Sequence, residues 1–247
     1  MADHAAKDAE LRAHGLFAAE GRLLVSRAFD SGFEVVRLFA DAAAAEEARA
    51  LFPGVTVLDA PGLSREAGYP FHRGMLAHVR RPRIESLSDL GHAVPRGLSL
   101  ALPKITDPGN LGTLLRSALA FGCTAVLLGG ECLDPFNRKA LRASMGAAYR
   151  LRTVWGEPES LAAWEKGGVE SVAATLESGA VSVDEWERRG GAGTCLVLGN
   201  EHDGIPAAWR ERCSRAVMIP VSTDVDSLNV AVAGSILMRE LSRRAIR

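Results

Sequence analysis

Three short stretches of this 247-residue chain carry side chains able to hold and polarise small polar groups. The first runs from Ile105 to Gly122 and opens on Asp107-Pro108-Gly109, where proline fixes φ and glycine tolerates a positive φ. Leu111, Leu114, Leu115, Ala118 and Leu119 then follow at the spacing of one helical face. Off that face lie the amide of Asn110, the small residues Gly112 and Thr113, and the guanidinium of Arg116. Asn110 stands at the expected N-cap of the helix, and the apolar run Leu98–Leu102 before the turn predicts a buried strand. Strand, turn and helix so ordered deliver these groups to the carboxyl end of a sheet strand, where open α/β sheets keep their ligands.

The second stretch follows the apolar run Leu196-Val197-Leu198 and reads Gly199-Asn200-Glu201-His202-Asp203-Gly204. Its glycines let backbone N–H and C=O groups approach a ligand closely, although taken alone it describes an ordinary strand–loop–helix joint. Its spacing matches neither Gly-x-Gly-x-x-Gly nor a P-loop. The third stretch joins Met218-Ile219-Pro220-Val221 to Asp226-Ser227-Leu228-Asn229 and a final helix, which Ser227 or Asp226 can cap. That helix is apolar or small almost all round through Met238, so it is expected to be buried on more than one side. A fourth feature is basic: His72 to Arg83 contains Arg73, Arg80, Arg81 and Arg83 and no acid. It suits a phosphate-contacting patch and equally a charged strand edge that discourages pairing.

The elements that must carry these groups divide the chain in two. Residues 1 to about 15 read as a helix or arm, and Gly15–Arg27 has a helical pattern with the helix beginning after Gly21. Strands are expected at Glu34–Phe39, Val55–Leu58 and Gly74–Val79, with a short helix at Ala42–Leu51. This makes a small α/β domain over 1–83, followed by a linker over 84–97 with a short helix at Ser86–Gly91. From residue 98 to 247 near-continuous apolar strands alternate with helices: Leu98–Leu102, Ala125–Leu128, Val172–Ala174, Cys195–Leu198 and Ala216–Ile219. Buried strands of that kind predict an α/β domain with a mostly parallel sheet and helices on both faces.

Composition sets the outer bounds. Hydrophobic residues make up 47% of the chain, enough for sizeable cores, and no apolar run approaches a membrane span. The N-terminus lacks the basic and apolar regions of a secretory signal, and a cytoplasmic location is expected. The four cysteines lie far apart with no Cys-x-x-Cys pair, so reduced thiols are expected in place of a metal site or disulfides. With a net charge of −1, any RNA contact must come from local patches.

In this order the three stretches resemble the motifs of the SpoU/TrmH group of knotted RNA ribose methyltransferases. The matching residues are Asn110-Leu-Gly-x-x-x-Arg116 ending in Ala-Phe-Gly, Gly199-Asn-Glu201-x-x-Gly204, and Ile219-Pro220 with Ser227-Leu228-Asn229. Asp134–Asn137 and Arg142–Ala147 also resemble the family pattern, and the likeness covers residues 98–247. The first domain is similar, at Phe17-Ala-Ala-Glu20-Gly21 and Gly74-Met-Leu-Ala, to the RNA-binding domain that precedes many of these enzymes. Ser117 stands where threonine is commoner, and Asp224-Val225-Asp226 makes the last loop more acidic than usual.

The resemblance implies S-adenosylmethionine as methyl donor, S-adenosylhomocysteine as product, no metal, and a ribose 2′-hydroxyl in RNA as acceptor. Large-subunit (23S-type) rRNA is favoured over tRNA. It also implies a C-terminal trefoil knot, an exception to the rule against threaded chains, and a homodimer formed through the final helix. Arg116 would either accept the hydroxyl proton or clamp a phosphate or the developing alkoxide; the permanent charge of guanidinium favours the clamp. Asn110 would hold the target ribose or the loop itself, Glu201 would orient Arg116 through a charge-assisted bond, and Ser227 and Asn229 would hydrogen-bond cofactor or ribose. Gly199, Ile219 and Leu228, with Thr175, would cradle the cofactor, and Arg73, Arg80, Arg81 and Arg83 would contact RNA. One rival is a non-catalytic RNA-binding relative, which has no need of all these polar residues together. Another is a dinucleotide-dependent oxidoreductase, and it requires a Gly-x-Gly-x-x-Gly turn that is missing.

Overall fold

The computed structural model of the chain describes residues 4–86, 94–188, 191–200, 203–222 and 227–245. Its first eight elements are α1 (His4–Ala13), β1 (Leu16–Glu20), α2 (Arg22–Asp30), β2 (Val35–Ala40), α3 (Ala45–Leu51), β3 (Thr56–Val57), α4 (Ala60–Ala67) and β4 (Met75–Arg80). Next come β5 (Gly97–Leu102), α5 (Pro108–Ala120), β6 (Val126–Leu128), α6 (Arg138–Ala143), β7 (Thr153–Trp155), α7 (Glu159–Lys166) and β8 (Val169–Ala174). The chain closes with β9 (Val181–Ser182), β10 (Gly193–Val197), α8 (Ala207–Arg210), β11 (Arg215–Met218) and α9 (Val230–Ala245).

Residues 1–83 and 135–150 form one compact unit. Its sheet has the order β1-β4-β2-β3, antiparallel except for the last pairing. The helix expected after Gly21 starts at Arg22, but the helical pattern read from Gly15 is corrected: Leu16–Glu20 is a strand. Phe17, Ala18 and Ala19 are all buried, and a short run covered on both faces has no period that separates strand from helix. Gly21, at φ 81°, makes the corner between them. Helix α4 has clear local causes, with Asp59 accepting from the Gly62 N–H at 2.7 Å, a proline in the first turn and Gly68 left-handed at the C-cap.

Residues 135–150 are held in this unit by charge as well as by packing. Glu20 is buried at the end of β1; it accepts from Tyr69 Oη at 2.7 Å and from Arg138 at 3.1 Å, and it pairs with Arg142. Arg138 also donates to the Ala67 carbonyl at 2.6 Å and pairs with Asp8. Beside this cluster Phe17, Phe33, Phe136 and Tyr149 pack ring to ring, with centroids 4.9–6.0 Å apart.

The second unit comprises residues 84–134 and 151–247. Its seven strands run β7-β6-β5-β10-β8-β11-β9, and every pairing is parallel. The expected α/β class and parallel sheet are therefore present. Strands β7 and β9, three and two residues long, are too short to show a period and were not anticipated. Most of the expected helix at Ser86–Gly91 lies outside the described residues; Ser86 itself makes an isolated bridge with Trp155. β5 lies between β6 and β10, so the strand order switches direction at its carboxyl end.

Helix α9 packs against α5, β5 and β10, burying Leu237, Met238 and Leu241. It is not covered all round within the chain: Val232 and Ile236 remain 49% and 38% exposed on one face, continued by Arg239 and Arg243. The four cysteines are unpaired. Burial pushes the thiols of Cys123 and Cys213 up to about 12 and that of Cys132 to about 11, and it raises Cys195 further.

Candidate functional site

The amino-terminal turn of α5 is built differently from the sequence expectation. Asp107, not Asn110, is its N-cap: the Asp107 carboxylate accepts from the Asn110 N–H at 2.8 Å, with Pro108 in the first turn. The side chain of Asn110 is thereby available for another role, and its Oδ1 accepts from Asn229 Nδ2 at 3.0 Å. Asn229 in turn accepts from the N–H groups of Ala231 and Val232 at 2.9 and 3.3 Å, so it caps α9. The capping expected of Ser227 falls to Asn229, and Asp226 lies outside the described residues.

Further along, α5 and α9 stay in register through a 2.7 Å bond between the hydroxyls of Ser117 and Ser235. The close packing around α9 requires glycine at position 234. A methyl there would stand 2.6 Å from both Leu114 Cδ2 and Leu198 Cδ1.

A cavity of about 320 Å³ opens over the carboxyl ends of β10, β8 and β11, within the size range of small-molecule sites. Thr175, Gly199, Ile219, Ser227 and Leu228 all line it. Leu198, Ile205, Val217, Val230 and Leu237 supply an apolar wall. The loop after β10 closes on itself: the N–H and C=O of Asn200 and Gly204 bond reciprocally at 3.1 and 3.2 Å, and Asn200 Oδ1 accepts from the Asp203 N–H at 2.7 Å. Gly199 sits where a side chain would run into the backbone of Gly204 and Ile205, so the loop requires glycine there.

Charged groups at the rim carry no sequence pattern, since Glu177 and Asp203 stand singly in loops and Arg210 ends a four-residue helix. Glu177, Asp203 and Arg210 line the same cavity, and Arg210 pairs with Glu177 at 3.2 Å. Lys104 bridges Glu131 at 3.2 Å and Asp203 at 3.6 Å, and the hydrogen bond to Glu131 leads the upward shift of its pKa.

Arg116 is exposed on α5 and is not among the residues lining this cavity. Among the described residues it has no carboxylate within salt-bridge distance, and Glu201, its expected partner, lies outside them. The basic patch is partly engaged: Arg80 is forked on Glu34 at 3.3 Å, Arg81 stacks 5.5 Å from the Phe136 ring centre, and Arg73 lies 4.0 Å from Glu20. Arg83 is exposed.

Residues 97–239 match the profile of the SpoU rRNA Methylase family. A 23S rRNA (guanosine-2′-O-)-methyltransferase RlmB from Xanthomonas campestris is 34% identical over 209 residues, covering 81% of this chain and 82% of that one. An AdoMet-bound rRNA methyltransferase from Sinorhizobium meliloti superposes with a TM-score of 0.84 at 27% identity, over 97% of this chain and 92% of the other. The SpoU methyltransferase AviRb from Streptomyces viridochromogenes, in complex with AdoMet, gives 0.81 at 25% identity over 98% of each chain.

Proposed function

Since the chain belongs to the SpoU rRNA methylase family, we propose that it transfers a methyl group from S-adenosylmethionine to a ribose 2′-hydroxyl of large-subunit rRNA. The observation that carries this reading is the convergence of Thr175, Gly199, Ile219, Ser227 and Leu228, from three separated loops, on one cavity. The cavity fits the donor: its apolar wall suits the base, and the tight backbone at Gly199 offers peptide groups at short range. When bound, the sulfonium supplies a methyl carbon already activated for in-line displacement.

What the chain must then provide is alignment and charge. Asn229 and Asn110, bonded to each other next to the cavity residues Ser227 and Leu228, fix the edge past which the acceptor ribose enters. Arg116 remains protonated and acts as a clamp on phosphate or the developing alkoxide, not as a base. Because Arg116 lies off the cavity wall of its own chain, it serves the cavity of a second copy. The exposed apolar face of α9 at Val232 and Ile236 supports a two-fold dimer. RNA is gathered through Arg73, Arg80, Arg81 and Arg83, the carboxyl-end loops take the family's knotted path, and the work is cytoplasmic.

The test is to map 2′-O-methyl positions in total RNA from cells with and without the protein, and to titrate purified protein with S-adenosylmethionine. Loss of one rRNA site together with cofactor binding is the expected result. An unchanged methylation map with no binding would end the reading.

A further inference from the structure

We propose that Glu177 accepts hydrogen bonds from the ribose 2′,3′-diol of the methyl donor, with Arg210 as the residue that positions it. This rests on the cavity above being the S-adenosylmethionine site. Glu177 follows β8 and Arg210 ends α8, and both line the cavity. Arg210 places Nε and Nη2 on the same carboxylate oxygen, Oε2, each at 3.2 Å. Among the described residues no hydrogen bond reaches Oε1. An ionised carboxylate is purely an acceptor, and a vicinal diol presents two donors side by side.

The backbone under Glu177 is stiff. Its N–H donates to Thr175 Oγ1 at 3.2 Å, its carbonyl accepts from Ala180 at 3.2 Å, and the Thr175 N–H is held by the Val217 carbonyl at 3.0 Å. With its backbone pinned and Oε2 held by Arg210, the carboxylate has less freedom to lose when the ligand arrives.

Strand order selects the ribose as the part of the ligand this carboxylate meets. Asn110 follows β5, and β8 lies two strands away across β10, about 10 Å at the usual strand spacing. The transferable methyl faces the acceptor on the β5 side. From the sulfur the ligand continues through the 5′ carbon to the sugar and then the base, away from β5 and toward the loop after β8. An acidic residue near a strand end reads ribose hydroxyls in other α/β nucleotide sites by the same chemistry.

Calorimetric titration of the full chain with S-adenosylhomocysteine and its 2′-deoxy and 3′-deoxy analogues tests this. The unaltered protein should bind each analogue roughly tenfold more weakly than the parent compound, the scale of one hydrogen bond to a charged group at a partly exposed site. Glu177→Ala should bind the parent at least as weakly as the unaltered protein binds the analogues and no longer distinguish the three compounds, with an unchanged melting temperature because the side chain is exposed. Arg210→Ala should weaken the parent by roughly threefold, and Arg210→Lys should regain part of that loss. If the unaltered protein binds all three compounds equally, or if Glu177→Ala still discriminates, the diol assignment is overturned and the cavity keeps its ligand. Failure of the unaltered protein to bind S-adenosylhomocysteine at all would overturn the cavity assignment and this proposal with it.

Discussion

Arg116 and Gly199 make opposite demands on an experiment. The guanidinium is exposed and off the cavity wall, and in the role proposed for it, it acts on charge that develops during reaction. Arg116→Ala should therefore lower kcat by roughly a hundredfold or more while S-adenosylhomocysteine binds as before; equal losses in both would make the residue structural. Gly199 has no chemistry of its own, yet any side chain there displaces the Gly204–Ile205 backbone that shapes the cavity. Gly199→Ala should weaken cofactor binding by roughly tenfold or more, about 1.4 kcal/mol per decade, a result readable by titration without any turnover. The residue types of both positions stood out in the sequence. That Glu177 and Arg210 share their cavity did not, because nothing in a linear string relates a loop after β8 to the end of α8.

Helices α5 and α9 are coupled at their first turns, where the site is assembled. Asp107 satisfies the Asn110 N–H, which leaves the Asn110 amide to meet Asn229. Asp107→Ala should cost about 1 kcal/mol of unfolding free energy in urea and also reduce transfer, since the Asn110–Asn229 pair loses its footing. A stability loss with intact transfer would separate the cap from the site. The cap was open to correct reading: Pro108 is a first-turn residue, so the position before it is the N-cap. Strand β4 and the Arg80–Arg83 segment call for a second test. Replacing Arg80, Arg81 and Arg83 with Ala should weaken RNA binding and flatten its salt dependence. An unchanged slope would assign the patch to the strand edge alone.

At the scale of the whole protein, a shared site predicts complementation. Arg116→Ala and Gly199→Val are each expected to be inactive, and random mixing should restore about a quarter of the activity, since half the dimers are mixed and each has one intact site. No recovery would return Arg116 to its own cavity. Stability should also depend on acid. His78 is buried in the first unit, and its pKa is lowered to about 4 by burial first, then by the charges of Lys7, Arg138 and Arg37, with Glu10 opposing. Glu66 stands 4.0 Å away. Between about pH 6.5 and 4 the unfolded chain takes up a proton that the folded one refuses. The His78 contribution is therefore intact above pH 6.5 and is lost as pH falls through 4, by about 3 kcal/mol in all. His78→Phe should flatten that part of the urea-stability profile, and a profile of unchanged slope would acquit His78.

The parallel α/β class and the three motif loops could be read from the chain because buried strands and glycine turns leave their mark on neighbouring residues. The strand Leu16–Glu20 could not, for its covering on both faces erases the alternation that identifies a strand. Likewise Arg138 and Arg142 lie more than a hundred residues from Glu20, and only folding turns that separation into a buried ion cluster. Local order follows from which residues adjoin along the chain. The cavity, its charged rim and the Asn110–Asn229 bond follow from which strands lie side by side, and that order is set by long-range burial, to which sequence spacing is blind.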